Sequence, residues 1–143
     1  MKKIKYGYNL IKPSKVRTQL SILIQLARID GQYSRDEREL IEKIGKRYDV
    51  DREELDEIER NPDPIGDLRL LSEDQKIELL YNVIRLTKVD RRILPNEILF
   101  SQVIASKLGF RRSAVQAMIP LVSDQPLEFI NHTSIRRKIG PYL

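Results

Sequence analysis

Three observations predict an all-α fold, a single compact helical domain of about six to seven helices built from two packed helix-turn-helix-helix repeats. The chain is 41% hydrophobic and 33% charged, with six Tyr, three Phe and no Trp, so its core is made of Leu, Ile and Val. That composition suits packed helices better than aromatic-rich strands. Apolar residues recur at helical spacing between well-formed start and stop signals. Finally, an offset of 60 residues superposes one half of the chain on the other. At 143 residues the chain is long enough for one sizeable core.

The elements follow in order. Residues 1–14 read as a basic N-terminal arm broken by Gly7, Asn9 and Pro13, with Tyr6, Tyr8, Leu10 and Ile11 available to pack it down. A first helix is expected from a cap at Ser14 to about Ile29, carrying Val16, Leu20, Leu23, Ile24 and Ala27 inward. Gly31 ends it by accepting positive φ. Ser34 and Glu37 form a capping-box pattern that opens a second helix, Arg35 to Tyr48. Asp51 with Glu54 opens a third, which Asn61-Pro62-Asp63-Pro64-Ile65-Gly66 terminates. Ser72 with Gln75 starts a helix running to about Val89. Pro95 suits the first position of the next, Pro95 to Leu108, closed by Gly109. A short helix over about 112–119 should stop before Pro120. The C-terminal extension, 123–143, reads as a short helix or turn with a basic tail through Arg136-Arg137-Lys138.

Under the 60-residue offset Leu26 meets Leu86, Ile29 meets Val89, Leu40 meets Phe100, Ile44 meets Ile104, Val50 meets Phe110 and Leu55 meets Val115. Each copy, about 16–60 and 73–120 within a helical domain of 15–122, is too small to bury its own apolar face alone. The offset also matches acids: Asp30 with Asp90, and Glu37 with Glu97. These flank the turn between the first two helices of each copy, and they are the candidate metal residues.

Composition limits the chemistry. With no Cys there are no disulfides, thiolate metal sites or Cys nucleophiles. The N-terminus lacks the apolar run of a signal peptide, and the apolar block around Ile22 to Ile29 is too short to span a membrane, so a cytoplasmic location is expected. The net charge of +5 is polarised: residues 1–29 carry seven basic and no acidic side chains, 30–78 nine basic and seventeen acidic, and 79–143 ten basic and four acidic. Peripheral contact with an acidic surface is compatible with those basic ends.

The stretch Asp30-Gly31-Gln32-Tyr33-Ser34-Arg35-Asp36-Glu37 fits positions 5 to 12 of a calcium-binding EF-hand loop, including the Gly and the final Glu. Positions 1 and 3 fall on Leu26 and Arg28, and in the second copy on Leu86 and Lys88, none of which ligates calcium. The same acids have ordinary structural work available, capping helix amides and binding loop N–H groups. His132, the only His, lies in the C-terminal extension, and no nucleophile, phosphate loop or His pair accompanies the carboxylates, so no enzyme signature is present. Lys2, Lys3, Lys5 and Lys12 interleaved with Tyr6 and Tyr8 offer an alternative, nucleic-acid binding through the basic termini.

Arg28-Ile29-Asp30-Gly31-Gln32-Tyr33-Ser34-Arg35-Asp36-Glu37, with the apolar spacing that follows to Gly45 and Tyr48-Asp49-Val50, resembles the TerB-like tellurite-resistance family. The likeness spans roughly residues 16–120. It implies an all-helical, internally duplicated domain with a clustered acidic surface, for which metal binding has been proposed, in stress-associated proteins. By position the implied acids are Asp30, Glu37, Asp90 and Glu97; the second copy departs in having Arg91 where the pattern has Gly. The combined expectation is a non-enzymatic domain without a fixed cofactor, binding a divalent cation or a protein partner through the duplicated acidic corner. The alternative is a protein-interaction module in which those acids only cap helices.

Overall fold

The computed structural model describes residues 13–29, 31–90, 92–127 and 132–142. The architecture is all-helical as predicted, with seven α-helices and no strand among the described residues. The chain divides into two compact units, Met1–Ile65 and Gly66–Leu143.

The first unit contains α1 (Pro13–Ala27), α2 (Arg35–Arg47) and α3 (Arg52–Arg60). Helix α1 packs on both α2 and α3. It begins one residue before the expected cap, because Pro13 supplies a first helical residue with preset φ and no N–H to satisfy. Its last turn loosens at Arg28 and Ile29 ahead of Gly31, whose φ of 81° makes the reversal. Ser34 caps α2 through a full capping box, and Asp51 caps α3 through another. Between them Tyr48-Asp49-Val50 forms a left-handed helix end: Asp49 N–H donates to Lys46 C=O and Val50 N–H to Gly45 C=O. Asp49 holds φ +60° there, the one non-glycine with positive φ among the described residues.

The second unit repeats that order. It contains α4 (Glu73–Lys88), α5 (Pro95–Leu108) and α6 (Ala114–Met118), the last continued by a 3-10 turn, Ile119–Leu121. Shifting the first unit's helices by 60 places them within two residues of α4, α5 and the α6–3-10 segment. Helix α6 ends at Met118, before Pro120 as expected, and Pro120 sits in the 3-10 turn that continues it. A 3-10 turn tolerates Pro at its start, where the missing N–H has no partner to lose. The left-handed position held by Asp49 is held here by Gly109, φ 97°.

The repetition extends to hydrogen bonds holding the loop after the third helix. In the first unit Ser21 Oγ accepts from Asp63 N–H at 3.0 Å, and Gln25 donates to Asp63 C=O at 2.8 Å. In the second unit the counterpart Tyr81 Oη accepts from the counterpart Ser123 N–H at 3.4 Å, and Arg85, at the position of Gln25, donates to the C=O of the next residue, Asp124, at 2.8 Å. Different side chains do the same anchoring, which pure helical periodicity would not produce. The short C-terminal helix is α7 (His132–Ile139), packed on α6, and the basic triplet Arg136-Arg137-Lys138 lies in its last turn. Ile135 and Ile139 are its buried residues, while Arg136 pairs with Asp74.

Candidate functional site

The helix corners that carry the predicted acids are now explicit. Glu37 is 2% exposed, and its Oε1 accepts the Ser34 N–H at 2.9 Å while Ser34 Oγ accepts the Glu37 N–H at 3.1 Å. Glu97 is 4% exposed, with Oε1 accepting the Leu94 N–H at 2.9 Å. The Leu94 side chain has no oxygen to return, and the Glu97 N–H bonds the Leu94 C=O at 3.0 Å instead, so the second corner keeps the side-chain half of the capping box from Glu97 and gains Pro95 as its first helical residue. Both glutamates thus satisfy backbone donors at a helix N-terminus, where their charge also complements the helix dipole. Asp90 is exposed on its turn, whereas Glu97 is buried, so those two carboxylates sit in different environments. Asp30 lies outside the described residues. Among the described residues no group of three or more His, Asp and Glu side chains is placed to hold a metal ion. The lysines and tyrosines of residues 1–12 also fall outside them, and no described helix is long and apolar enough to cross a membrane.

The first corner holds a polar cluster instead. Tyr33 Oη donates to Glu59 at 2.7 Å, and Arg38 donates to both Glu59 oxygens at 3.2 and 2.9 Å and to Asp56 at 3.1 Å. The Arg28 guanidinium lies 5.7 Å from the Tyr33 ring centre. Burial and the neighbouring Glu59 carboxylate push the Tyr33 hydroxyl's pKa up, keeping it a donor. Burial works to raise Glu59, but the hydrogen bonds from Arg38 and Tyr33 outweigh it and hold the carboxyl below the usual range. A second polar tie joins α1 to the end of α3: Arg17 donates to Asp63 at 3.0 Å, to Glu57 at 3.2 Å and to Asn61 C=O at 2.8 Å.

Among the described residues of the second unit, none of this polar work has a counterpart. Sixty residues on, Tyr33, Arg38 and Glu59 become Ile93, Ile98 and Ile119, while Arg17 becomes Ile77 and Glu57 becomes Ala117. The change runs the length of the helices. Helix α2 has nine charged residues among its 13, and α5 has two among 14. Helix α3 has seven among nine, whereas α6 and its 3-10 continuation have none. The solvent side of α5 presents Pro95, Asn96, Leu99 and Ser106, with Ile98, Phe100, Gln102 and Val103 partly exposed. Leu99 stands 55% exposed where α2 has Glu39, and Ile93 is 36% exposed. Lys88, at the end of α4, spends its ammonium on Ile119 and Val122 carbonyls at 2.8 and 2.6 Å, capping the 3-10 turn internally.

The signal for this face was present in the sequence as the positions that fail to match across the offset, rather than those that do. Compared with known protein families, curated proteins and solved structures, the chain matches none.

Proposed function

We propose that the protein is a non-enzymatic, helical protein-interaction module whose contact surface is the uncharged outer side of α5, extended by α6. One observation carries this reading: the two copies share a fold plan, yet α2 is charged at nine positions and α5 at two. A solvated helix face keeps charged side chains. A face that exchanges them for Leu, Val, Asn, Gln and Ser has the composition of a surface that meets another protein. The corner glutamates Glu37 and Glu97 belong, in this reading, to the framework as helix caps, and binding is assigned to the face beside them. The likeness to TerB-like domains supports the same broad class, a small duplicated helical domain that acts by binding.

The test is site-specific photo-cross-linking in cells with a benzophenone amino acid at position 99, compared with its structural counterpart at position 39. Discrete protein adducts are expected from 99 and not from 39, and Val103→Glu should suppress them. Equal adduct patterns from both positions, or adducts insensitive to Val103→Glu, would refute the assignment.

A further inference from the structure

Charge at the ends of the α5 face identifies the kind of partner it takes. The solvent-facing stripe Asn96, Leu99, Val103 and Ser106, with Val103 partly exposed, follows i, i+3, i+7, i+10 spacing, a line along which a partner helix can lie. Helix α5 is 14 residues long, so the track extends about 20 Å, room for roughly four turns of such a helix. No acidic side chain is exposed on α5, its one acid being the buried Glu97. Lys107 lies in its last turn, and just beyond its C-terminal end stand Arg111 and Arg112, both exposed. At the N-terminal end exposed Asp90 offsets exposed Arg92. The face is therefore uncharged along most of its length, with Leu99 and Val103 at its middle, and cationic at one end.

We infer, resting on the interaction reading above, that the occupant is an amphipathic helix with an apolar stripe and acidic flanks, its acidic side chains meeting Arg111 and Arg112. Opposite charge at the rim steers and orients such a partner, while the apolar stripe supplies the contact area. A second copy of this chain fits less well. Two α5 faces related by a twofold axis bring the cationic end of each over the Asp90/Arg92 end of the other, and no exposed acid on α5 compensates Arg111 and Arg112. A lipid surface also fits less well, since no large aromatic is exposed among the described residues to anchor at an interface; the exposed large hydrophobics are Ile29, Leu70, Ile93 and Leu99.

The full chain would be titrated with two synthetic helical peptides of about four turns. Both carry leucines at i, i+4 and i+7; one has glutamates at its remaining positions and the other lysines. Amide chemical shifts report where binding occurs and anisotropy reports affinity. The glutamate peptide should bind about tenfold or more tightly than the lysine peptide, weakening with salt and shifting amides around Leu99 and Val103. Leu99→Glu should abolish that binding, and Arg111→Glu/Arg112→Glu should erase or reverse the preference while leaving the helical signal intact. Equal affinity for the two peptides, or a preference unmoved by the double reversal, would overturn the acidic partner. If Leu99→Glu still abolished that equal binding, the α5 face itself would stand. Shifts away from α5 would take both readings down. Binding to phosphatidylglycerol-containing vesicles without peptide binding, or a dimer that Leu99→Glu dissociates, would replace the partner helix with a membrane or a second copy.

Discussion

The exchange of Tyr33, Arg38 and Glu59 for Ile93, Ile98 and Ile119 makes a quantitative prediction about the first unit. Arg38→Ile alone removes three hydrogen bonds, two to Glu59 and one to Asp56, and leaves a carboxylate whose side chain is 12% exposed. Stranding a largely buried charge costs several kcal/mol when the site is dry, but Arg38 itself is 35% exposed and water reaches the gap. We expect a loss of about 2 kcal/mol after that screening. In a chain of this length it lowers the melting temperature by about 4–8 °C. Glu59→Ile alone should cost a similar amount, since it orphans the Tyr33 hydroxyl and leaves Arg38 with Asp56 only. The triple variant Tyr33→Ile/Arg38→Ile/Glu59→Ile removes the three partly buried partners together, leaves only the more exposed Asp56, and installs the side chains that the second unit uses at the same positions. Replacing a paired network by apolar residues of suitable volume is neutral or stabilising as often as not. The triple variant should therefore lie within about 1 kcal/mol of wild type, far from the sum of the single losses. Urea denaturation of the wild type, both singles and the triple measures this directly. A triple variant destabilised by the full sum would show that the two units do not share local geometry at these positions, and the duplication argument would fail with it.

Three further outcomes follow from the caps, the helix ends and the ion pairs. Glu37→Ala and Glu97→Ala should each lower stability by about 1–2 kcal/mol in thermal denaturation, because each leaves a helix N-terminal donor without its acceptor; Glu37→Gln, which keeps an oxygen, should lose less. Asp49→Gly should raise stability by about 0.5–1 kcal/mol, since it relieves a φ of +60°, whereas Gly109→Ala at φ +97° should lower it by a comparable or larger amount. Because Glu59 titrates below its ordinary value in the folded chain, it favours the native state above the unfolded carboxyl's pKa near 4.5. That contribution disappears as pH falls from there through the lower folded value. The acid limb of a stability–pH curve should flatten in Glu59→Gln, and an unchanged limb would remove Glu59 from the account.

The sequence made much of the fold legible because helix punctuation is local chemistry. Ser34 with Glu37, Asp51 with Glu54, and Ser72 with Gln75 are each a donor and an acceptor three residues apart, and all three form the capping boxes their spacing predicts. Gly31 and Gly109 likewise announce positive φ. The misplaced start of α1 has a local cause too. Ser14 resembles a cap, but Pro13 before it is already conformationally committed to the helix. Pro120 marks the stop it resembles, α6 ending at Met118, but spacing does not announce the 3-10 turn that follows, whose Ile119 and flanking Val122 carbonyls accept from Lys88 on another helix.

The acids show the harder limit. An Asp or Glu beside a turn has the same sequence signature whether it caps a helix or ligates a cation, because both tasks ask a carboxylate to face a concentration of positive potential. What separates them is burial and the number of oxygens left over. Glu37 and Glu97, at 2% and 4% exposure with Oε1 bonded to a cap N–H, have the surroundings of structural groups. Matched residues across a duplication thus report what both copies need in order to fold: the Leu and Ile of the core and the glutamates of the caps. Specialisation has to be sought where the copies disagree. Glu39 against Leu99, Lys43 against Val103 and Arg38 against Ile98 disagree on one side of one helix. All but one of the charged positions of α2 face solvent, so α5 could lose charge nowhere else; what places recognition there is that Leu99, Ile98 and Val103 replace charges while keeping contact with solvent.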